Sequence, residues 1–137
     1  MTAQPMSTGT VGIVLVSHST ELARGAAHLA AQVSGGTVTI IAAGGTDDDD
    51  LGTSAAKVQH ALGQAAGGAG VVVLPDLGSA VLTVRAVLED YGEGESVLLA
   101  DAPFVEGAVA ATVIAAAGGD VKAVAAAAEE ARHVRKL

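Results

Sequence analysis

Val11 to Ser17 (VGIVLVS) is an unbroken aliphatic run rich in β-branched residues, and three later segments share its character: Thr37 to Ala43 (TVTIIAA), Gly70 to Pro75 (GVVVLP) and Ser96 to Asp101 (SVLLAD). A strand with one wet face alternates apolar and polar residues. A run without that alternation reads as a strand covered on both faces, which is the situation in a parallel sheet sandwiched between helices. Helical stretches separate the runs: Thr20 to Val33, Thr53 to Ala66, Ser79 to Tyr91 and Phe104 to Ala117, with a last helix from Asp120 to His133. Strand alternating with helix implies right-handed crossovers. The fold class expected is therefore α/β: a single-domain, doubly wound, mostly parallel sheet with helices on both faces. Residues 1 to 9 (MTAQPMSTG) are small and polar, and are expected to be a flexible leader with Met6 as an alternative start; the domain then runs from 10 to 137.

Thirty of the 137 residues are alanine, whereas Phe and Tyr occur once each, so the core must be built from short side chains with helices packed close to the sheet. Cysteine is absent, which excludes disulfides, thiolate catalysis and Cys-ligated metal centres. A formal net charge of -8, no tryptophan and no basic cluster before Arg132, Arg135 and Lys136 argue against nucleic acid and favour a basic protein partner. No apolar run approaches the roughly 20 residues that span a bilayer. The expectation is a cytoplasmic protein with no membrane contact.

In open α/β sheets, chemistry gathers outside the carboxyl ends of the strands. Four loops qualify: Ser17-His18-Ser19-Thr20, Gly44-Gly45-Thr46-Asp47, Asp76-Leu77-Gly78-Ser79 and Ala102-Pro103-Phe104. His18 lies where the first strand gives way to a helix that Ser19 or Thr20 can cap. An imidazole is nucleophilic near neutral pH, and a group bonded to it there would face free N–H donors of a helix start, which suit phosphate. Asp76 ends the third run. It is either an N-cap or a carboxylate that orients His18 by accepting from one ring nitrogen. Gly78 offers close backbone approach, and Ser79 either caps the next helix or binds a phosphoryl oxygen. Asp47 to Asp50 lacks the alternating ligand spacing of a calcium loop and reads as a solvated acidic loop; no metal site is expected. His28, His60 and His133 have no second ligand at helical spacing. Ser17 and His18 project to opposite sides and do not form a nucleophile–base pair. No phosphate-binding Gly-Lys loop, dinucleotide fingerprint or Gly-x-Ser-x-Gly elbow occurs, so direct nucleotide binding and serine hydrolysis lack support.

Taken together, five segments carry a resemblance: Ile-Val-Leu-Val-Ser-His-Ser at 13 to 19, Ala-Ala-Gly at 42 to 44, Gly-Thr-Ser at 52 to 54, Asp-Leu-Gly-Ser-Ala at 76 to 80 and Ala-Pro-Phe-Val-Glu-Gly-Ala at 102 to 108. In this order they resemble the phosphotransfer subunits of phosphoenolpyruvate-dependent dihydroxyacetone kinases, related to the mannose-type IIA proteins of the sugar phosphotransferase system. The resemblance implies a mannose-type IIA-like fold and a homodimer, for which the apolar Val109 to Ala117 stretch would serve as core or as subunit contact. It implies that His18 accepts a phosphoryl group from a histidine phosphocarrier protein and passes it to ADP on a separate nucleotide-binding kinase subunit. Asp76 would then be the orienting carboxylate, and Ser19, Thr20, Gly78 and Ser79 would surround the phosphate. No cofactor is expected on this subunit; ADP or ATP and magnesium would belong to the partner.

The single Gly78 before Ser79, where many mannose-type transporter relatives carry Gly-Gly-Ser, favours the dihydroxyacetone branch. Pro75 departs from the aliphatic residue usual before the aspartate. Because the chain ends at Leu137 without a fused carrier domain, an external phosphocarrier is expected. The alternatives are a sugar-transporter IIA component and a receiver-like signalling module phosphorylated on Asp76.

Overall fold

In the computed structural model, which describes residues 9–91 and 96–137, four parallel strands form one sheet: β1 (Gly12–Ser17), β2 (Ile40–Gly44), β3 (Val71–Pro75) and β4 (Val97–Leu99), in the order β2-β1-β3-β4. Residues 1–8, most of the expected leader, lie outside the described part. The register aligns Val14 with Ile41 on one side and with Val73 on the other. Since β1 connects outward to β2 and the chain then crosses back to β3, the winding reverses between β1 and β3. That reversal leaves a crevice at the carboxyl ends of these two strands, where Ser17 and Pro75 stand.

Every residue of β1 and β3 is buried, as the absence of alternation requires. Ile13, Leu15, Val72 and Leu74 face a layer formed by α1 (Thr20–Ser34), α4 (Phe104–Ala116) and α5 (Val121–Glu130); Val14, Val16, Val71 and Val73 face α2 (Ala55–Ala65) and α3 (Gly78–Glu89). Both layers are lined largely by alanine and valine. The expected doubly wound arrangement is therefore present.

The boundaries differ from the sequence reading where capping chemistry intervenes. Ser54 accepts from the Lys57 N–H at 3.1 Å, so α2 begins at Ala55 and leaves Thr53 in the loop. Asp120 caps α5 through the Ala123 N–H at 2.8 Å, and the helix ends at Glu130, followed by a 3₁₀ turn over Ala131–His133. The β2 run starts at Ile40 rather than Thr37: Val38 is buried in the α1 layer, ahead of the ladder. In α4, Ala108, Ala111 and Ala115 enter the core while Val113 stays 44% exposed, so the stretch 109 to 117 is core on one side only.

Gly44, the last residue of β2, permits the closest helix–sheet contact. A Cβ there would sit 2.8 Å from the Ala23 Cβ and 2.9 Å from the Thr20 Cα, and would strike the Ser19 carbonyl oxygen. The next residue, Gly45, turns the chain with φ 81°. The first turn of α1 thus rests on bare backbone. Gly44→Ala is expected to lower stability by about 1–3 kcal/mol, the usual cost of overpacking, and to displace the start of α1; urea unfolding and the amide NMR shifts of residues 18–23 check it.

Candidate functional site

β1 delivers His18 and β3 delivers Asp76 to the two sides of the crevice. The contact between them is specific at both oxygens. His18 Nδ1 lies 2.9 Å from Asp76 Oδ1, and the His18 backbone N–H donates to Oδ2 at 3.0 Å. The Ser17 hydroxyl also donates to Oδ2, at 2.8 Å, and the Leu77 N–H to Oδ1 at 2.7 Å. Asp76 thus contacts His18 at both oxygens and is not the N-cap of α3, which is Leu77. Pro75 does not disturb its aim, because the strand reaches Asp76 in register and the Asp76 N–H donates to the Val16 carbonyl at 2.9 Å.

A carboxylate only accepts, so Nδ1 carries a proton, and in the neutral ring Nε2 keeps its lone pair. Nε2 lies 2.5 Å from Ser79 Oγ, whose hydroxyl donates to it. The His18 side chain is 23% exposed and that of Asp76 only 8%. The ring is held from behind and open in front. Burial alone would push the Asp76 carboxyl up; the N–H and ring of His18, the Ser17 hydroxyl and the Leu77 N–H outweigh it and hold the carboxyl below its usual value.

Two helix starts flank the histidine. Ser19 is the N-cap of α1, its hydroxyl accepting from the Leu22 N–H at 3.1 Å. At α3 the cap position falls on Leu77, which offers no side-chain acceptor, and Ser79 is the second helical residue rather than a cap. The first-turn N–H groups of Gly78 and Ser79 have no partner four residues back in their own helix, as at any helix start. A helix start of this kind favours a negative charge beside it.

Two of the expected site residues have other surroundings than a contact with His18. Thr20 does not turn to His18: its hydroxyl donates to the Gly44 carbonyl at 3.0 Å and lies 3.3 Å from Asp49 Oδ1, because it belongs to the α1–β2 contact. Gly78 is not required by close packing, since a Cβ built there meets nothing within 4 Å and its φ is not positive. Asp47 to Asp50 are all exposed, as expected of a solvated loop, and two of them also hold the loop in place. Asp47 accepts from Ser54, and Asp49, with φ 64°, accepts from Lys57 Nζ at 2.5 Å; that ammonium holds the Asp49 carboxyl below its usual range. The loop closes on the site from behind, where the Gly52 N–H donates to the His18 carbonyl at 2.9 Å.

Two cavities border the histidine without containing it. One, of about 350 Å³, is lined by Thr20, Arg24, Gly44 and Lys57; the other, of about 620 Å³, by Asp76, Leu77, Gly78 and Arg85. Among the described residues no group of three or more His, Cys, Asp or Glu side chains is placed to hold a metal ion, and no helix is long and apolar enough to cross a membrane.

Fold and site together define an α/β domain of the mannose-type IIA kind, with a carboxylate-oriented histidine at the switch point of a parallel sheet. Residues 12–125 match the family described as the PTS system fructose IIA component, and the chain belongs to that family. Among similar proteins is the phosphoryl donor subunit DhaM of the PEP-dependent dihydroxyacetone kinase of Pantoea ananatis, 43% identical over 83% of this chain and 25% of that protein. The corresponding DhaM of Escherichia coli is 40% identical over 81% of this chain and, again, 25% of its own length. The chain thus spans about a quarter of these relatives. A shorter one, the phosphoryl donor subunit DhaM of dihydroxyacetone kinase 2 of Listeria innocua, is 37% identical over 75% of this chain and 84% of its own. Among solved structures, the protein of unknown function EF1359 superposes with a TM-score of 0.78 at 30% identity, covering 88% of this chain and 94% of that one.

Asp76→Asn is expected to destabilise the fold by about 1–3 kcal/mol at pH 7, because donors aimed at an anion meet an amide instead. The native carboxyl is held low, so its contribution is present above the unfolded value of about 4 and is lost as pH falls through the lower folded value. The stability gap between wild type and Asp76→Asn, read by urea unfolding, should therefore persist from pH 7 down to pH 5 and close below pH about 4.

Proposed function

We propose that this chain is a phosphohistidine carrier of a phosphoenolpyruvate-dependent dihydroxyacetone kinase, taking a phosphoryl group from a histidine phosphocarrier protein onto Nε2 of His18 and passing it to ADP on a nucleotide-binding kinase subunit. The observation that carries this reading is the division of the His18 ring: Nδ1 is tied to Asp76, while Nε2 stands at the open rim beside the Ser79 hydroxyl and the α3 N-terminus. The names of the DhaM relatives supply the substrate class.

In the accepting step the Nε2 lone pair attacks phosphorus in line with the donor's phosphohistidine nitrogen. The new N–P bond forms as the old one breaks, and the donor imidazole leaves with its lone pair. The His18 ring becomes cationic and the Nδ1–H to Asp76 bond strengthens, which lowers the cost of that charge. Ser79, displaced from Nε2 by phosphorus, turns its hydroxyl to a phosphoryl oxygen, with the N–H groups of Gly78 and Ser79 and the Ser19 hydroxyl as further donors. In the delivering step an oxygen of the ADP β-phosphate attacks the same phosphorus from the outer side, and His18 regains its lone pair. Catalysis here is positioning and charge stabilisation. A ring outside both cavities suits a phosphoryl group that must meet two macromolecules in turn.

The receiver-like alternative, phosphorylation of Asp76, is disfavoured by geometry. Both carboxylate oxygens already accept two hydrogen bonds each, and the side chain is 8% exposed.

Labelled phosphoenolpyruvate with its phosphocarrier should place one acid-labile, alkali-resistant phosphate on the wild-type chain, and none on His18→Ala. Addition of the nucleotide-binding subunit with ADP should then discharge it as ATP. Stoichiometric labelling of His18→Ala, or a label removed by mild alkali, would overturn the reading.

A further inference from the structure

Ser17 has no part in the steps above, yet it is fully buried at 0% exposure. The described chain buries two other polar side chains to a similar degree: Ser54, which caps α2 and donates to Asp47 in the loop before it, and Thr112, which donates back to the Ala108 carbonyl at 2.7 Å. Ser17 directs its hydroxyl across to the end of the adjacent strand, onto the carboxylate that meets the His18 ring. It donates to Asp76 Oδ2 at 2.8 Å and accepts from the Ser19 N–H at 3.0 Å. One step beyond the Val16–Pro75 pair, the β1–β3 register brings Ser17 opposite Asp76, on the face of Leu15 and Leu74. The contact is therefore built into the sheet, whereas the other donors to Asp76, on His18 and Leu77, belong to the loops.

We propose that Ser17 is a positioning residue for phosphoryl transfer: its hydroxyl fixes the plane of the Asp76 carboxylate so that Oδ1 faces His18 Nδ1, and ties that carboxylate to the start of α1. The proposal rests on the phosphohistidine reading of His18. Without the Ser17 hydroxyl, Oδ2 keeps only the His18 N–H, and the carboxylate is free to turn about its last side-chain bond. Nδ1 then loses its acceptor for part of the time, and the ring proton moves to Nε2 in that fraction, removing the attacking lone pair. The N-cap geometry of Ser19 is loosened by the same change, since its N–H loses an acceptor. Ser17 is also among the groups that hold the Asp76 carboxyl low against the effect of burial.

The test is a double-mutant cycle with Asp76→Asn, read by the rate of phosphoryl acceptance from the phosphocarrier and by the ring ¹⁵N NMR signals of His18. Ser17→Ala should slow acceptance about tenfold, the usual weight of a hydrogen bond to a charged group, and raise the Nε2–H tautomer at pH 8. In the Asp76→Asn background the same substitution should change the rate less than about twofold. Should Ser17→Ala fail to fold, Ser17→Cys keeps the size with a weaker donor and should give an intermediate rate and tautomer ratio. An unchanged rate and tautomer in a folded variant, or an equal loss in both backgrounds, would overturn the proposal. If the wild-type chain takes no label at all, it is the carrier reading that fails; the tautomer measurement still decides whether Ser17 acts on His18 through Asp76.

Discussion

The carboxylate of Asp76 is the junction at which the sheet, two loops and the reactive ring meet. Four donors converge on its two oxygens: a hydroxyl from β1, the backbone N–H and ring N–H of His18, and the Leu77 N–H at the start of α3. A buried anion is tolerated only when its lone pairs are filled, and here every donor that fills them comes from an element that the site needs in place. Satisfying the charge and assembling the site are thus one event. Ionised Asp76 holds β1 and β3 together at their open ends, and through Ser17 it reaches the first turn of α1.

From that junction the chemistry of the ring follows. On the proposed reading, fixing the proton on Nδ1 leaves Nε2 as the nucleophile, and the same hydrogen bond would stabilise the cation formed after attack. Ser79 keeps Nε2 hydrogen-bonded in the resting state without encumbering it, because its exposed hydroxyl is free to rotate toward an incoming oxygen. The site divides into a rigid inner half and an open outer half. The inner half is buried strand and carboxylate; the outer half is a helix start without a side-chain cap. Such a layout suits transfer between large partners better than capture of a small free substrate, for which an enclosing pocket would be wanted.

Small side chains make this compactness possible. With alanine lining both helical layers, α1 approaches β2 until only Gly44 fits beneath Ser19 and Thr20, and Thr20 is drawn into that contact rather than into the site. The loop of residues 45–53 is consolidated from the same side. Lys57 and Asp49 pair above the Gly44 carbonyl, Thr53 meets Thr83 of α3 at 2.7 Å, and Gly52 fixes the His18 carbonyl. The four aspartates are exposed, as a solvated acidic loop requires, while the bonds of Asp47 and Asp49 tie the loop to the scaffold behind the histidine.

The sequence by itself determined the layer architecture, because unbroken aliphatic runs such as Val11 to Ser17 can be satisfied only between two helical layers, and their alternation with helices dictates parallel crossovers. It also singled out His18 and Asp76, since polar residues at the ends of such runs fall where open sheets place their chemistry. Strand order was not legible, because a strand buried on both faces carries no mark of which neighbour it pairs with. The order β2-β1-β3-β4 is what makes β1 and β3 adjacent. Only that adjacency turns Ser17, excluded as a partner of His18 by its opposite projection, into a neighbour of Asp76, and assigns Thr20 to the β2 side and Ser79 to the ring. Local pattern says which face a side chain takes; which side chain from a distant strand meets it there is a property of the sheet.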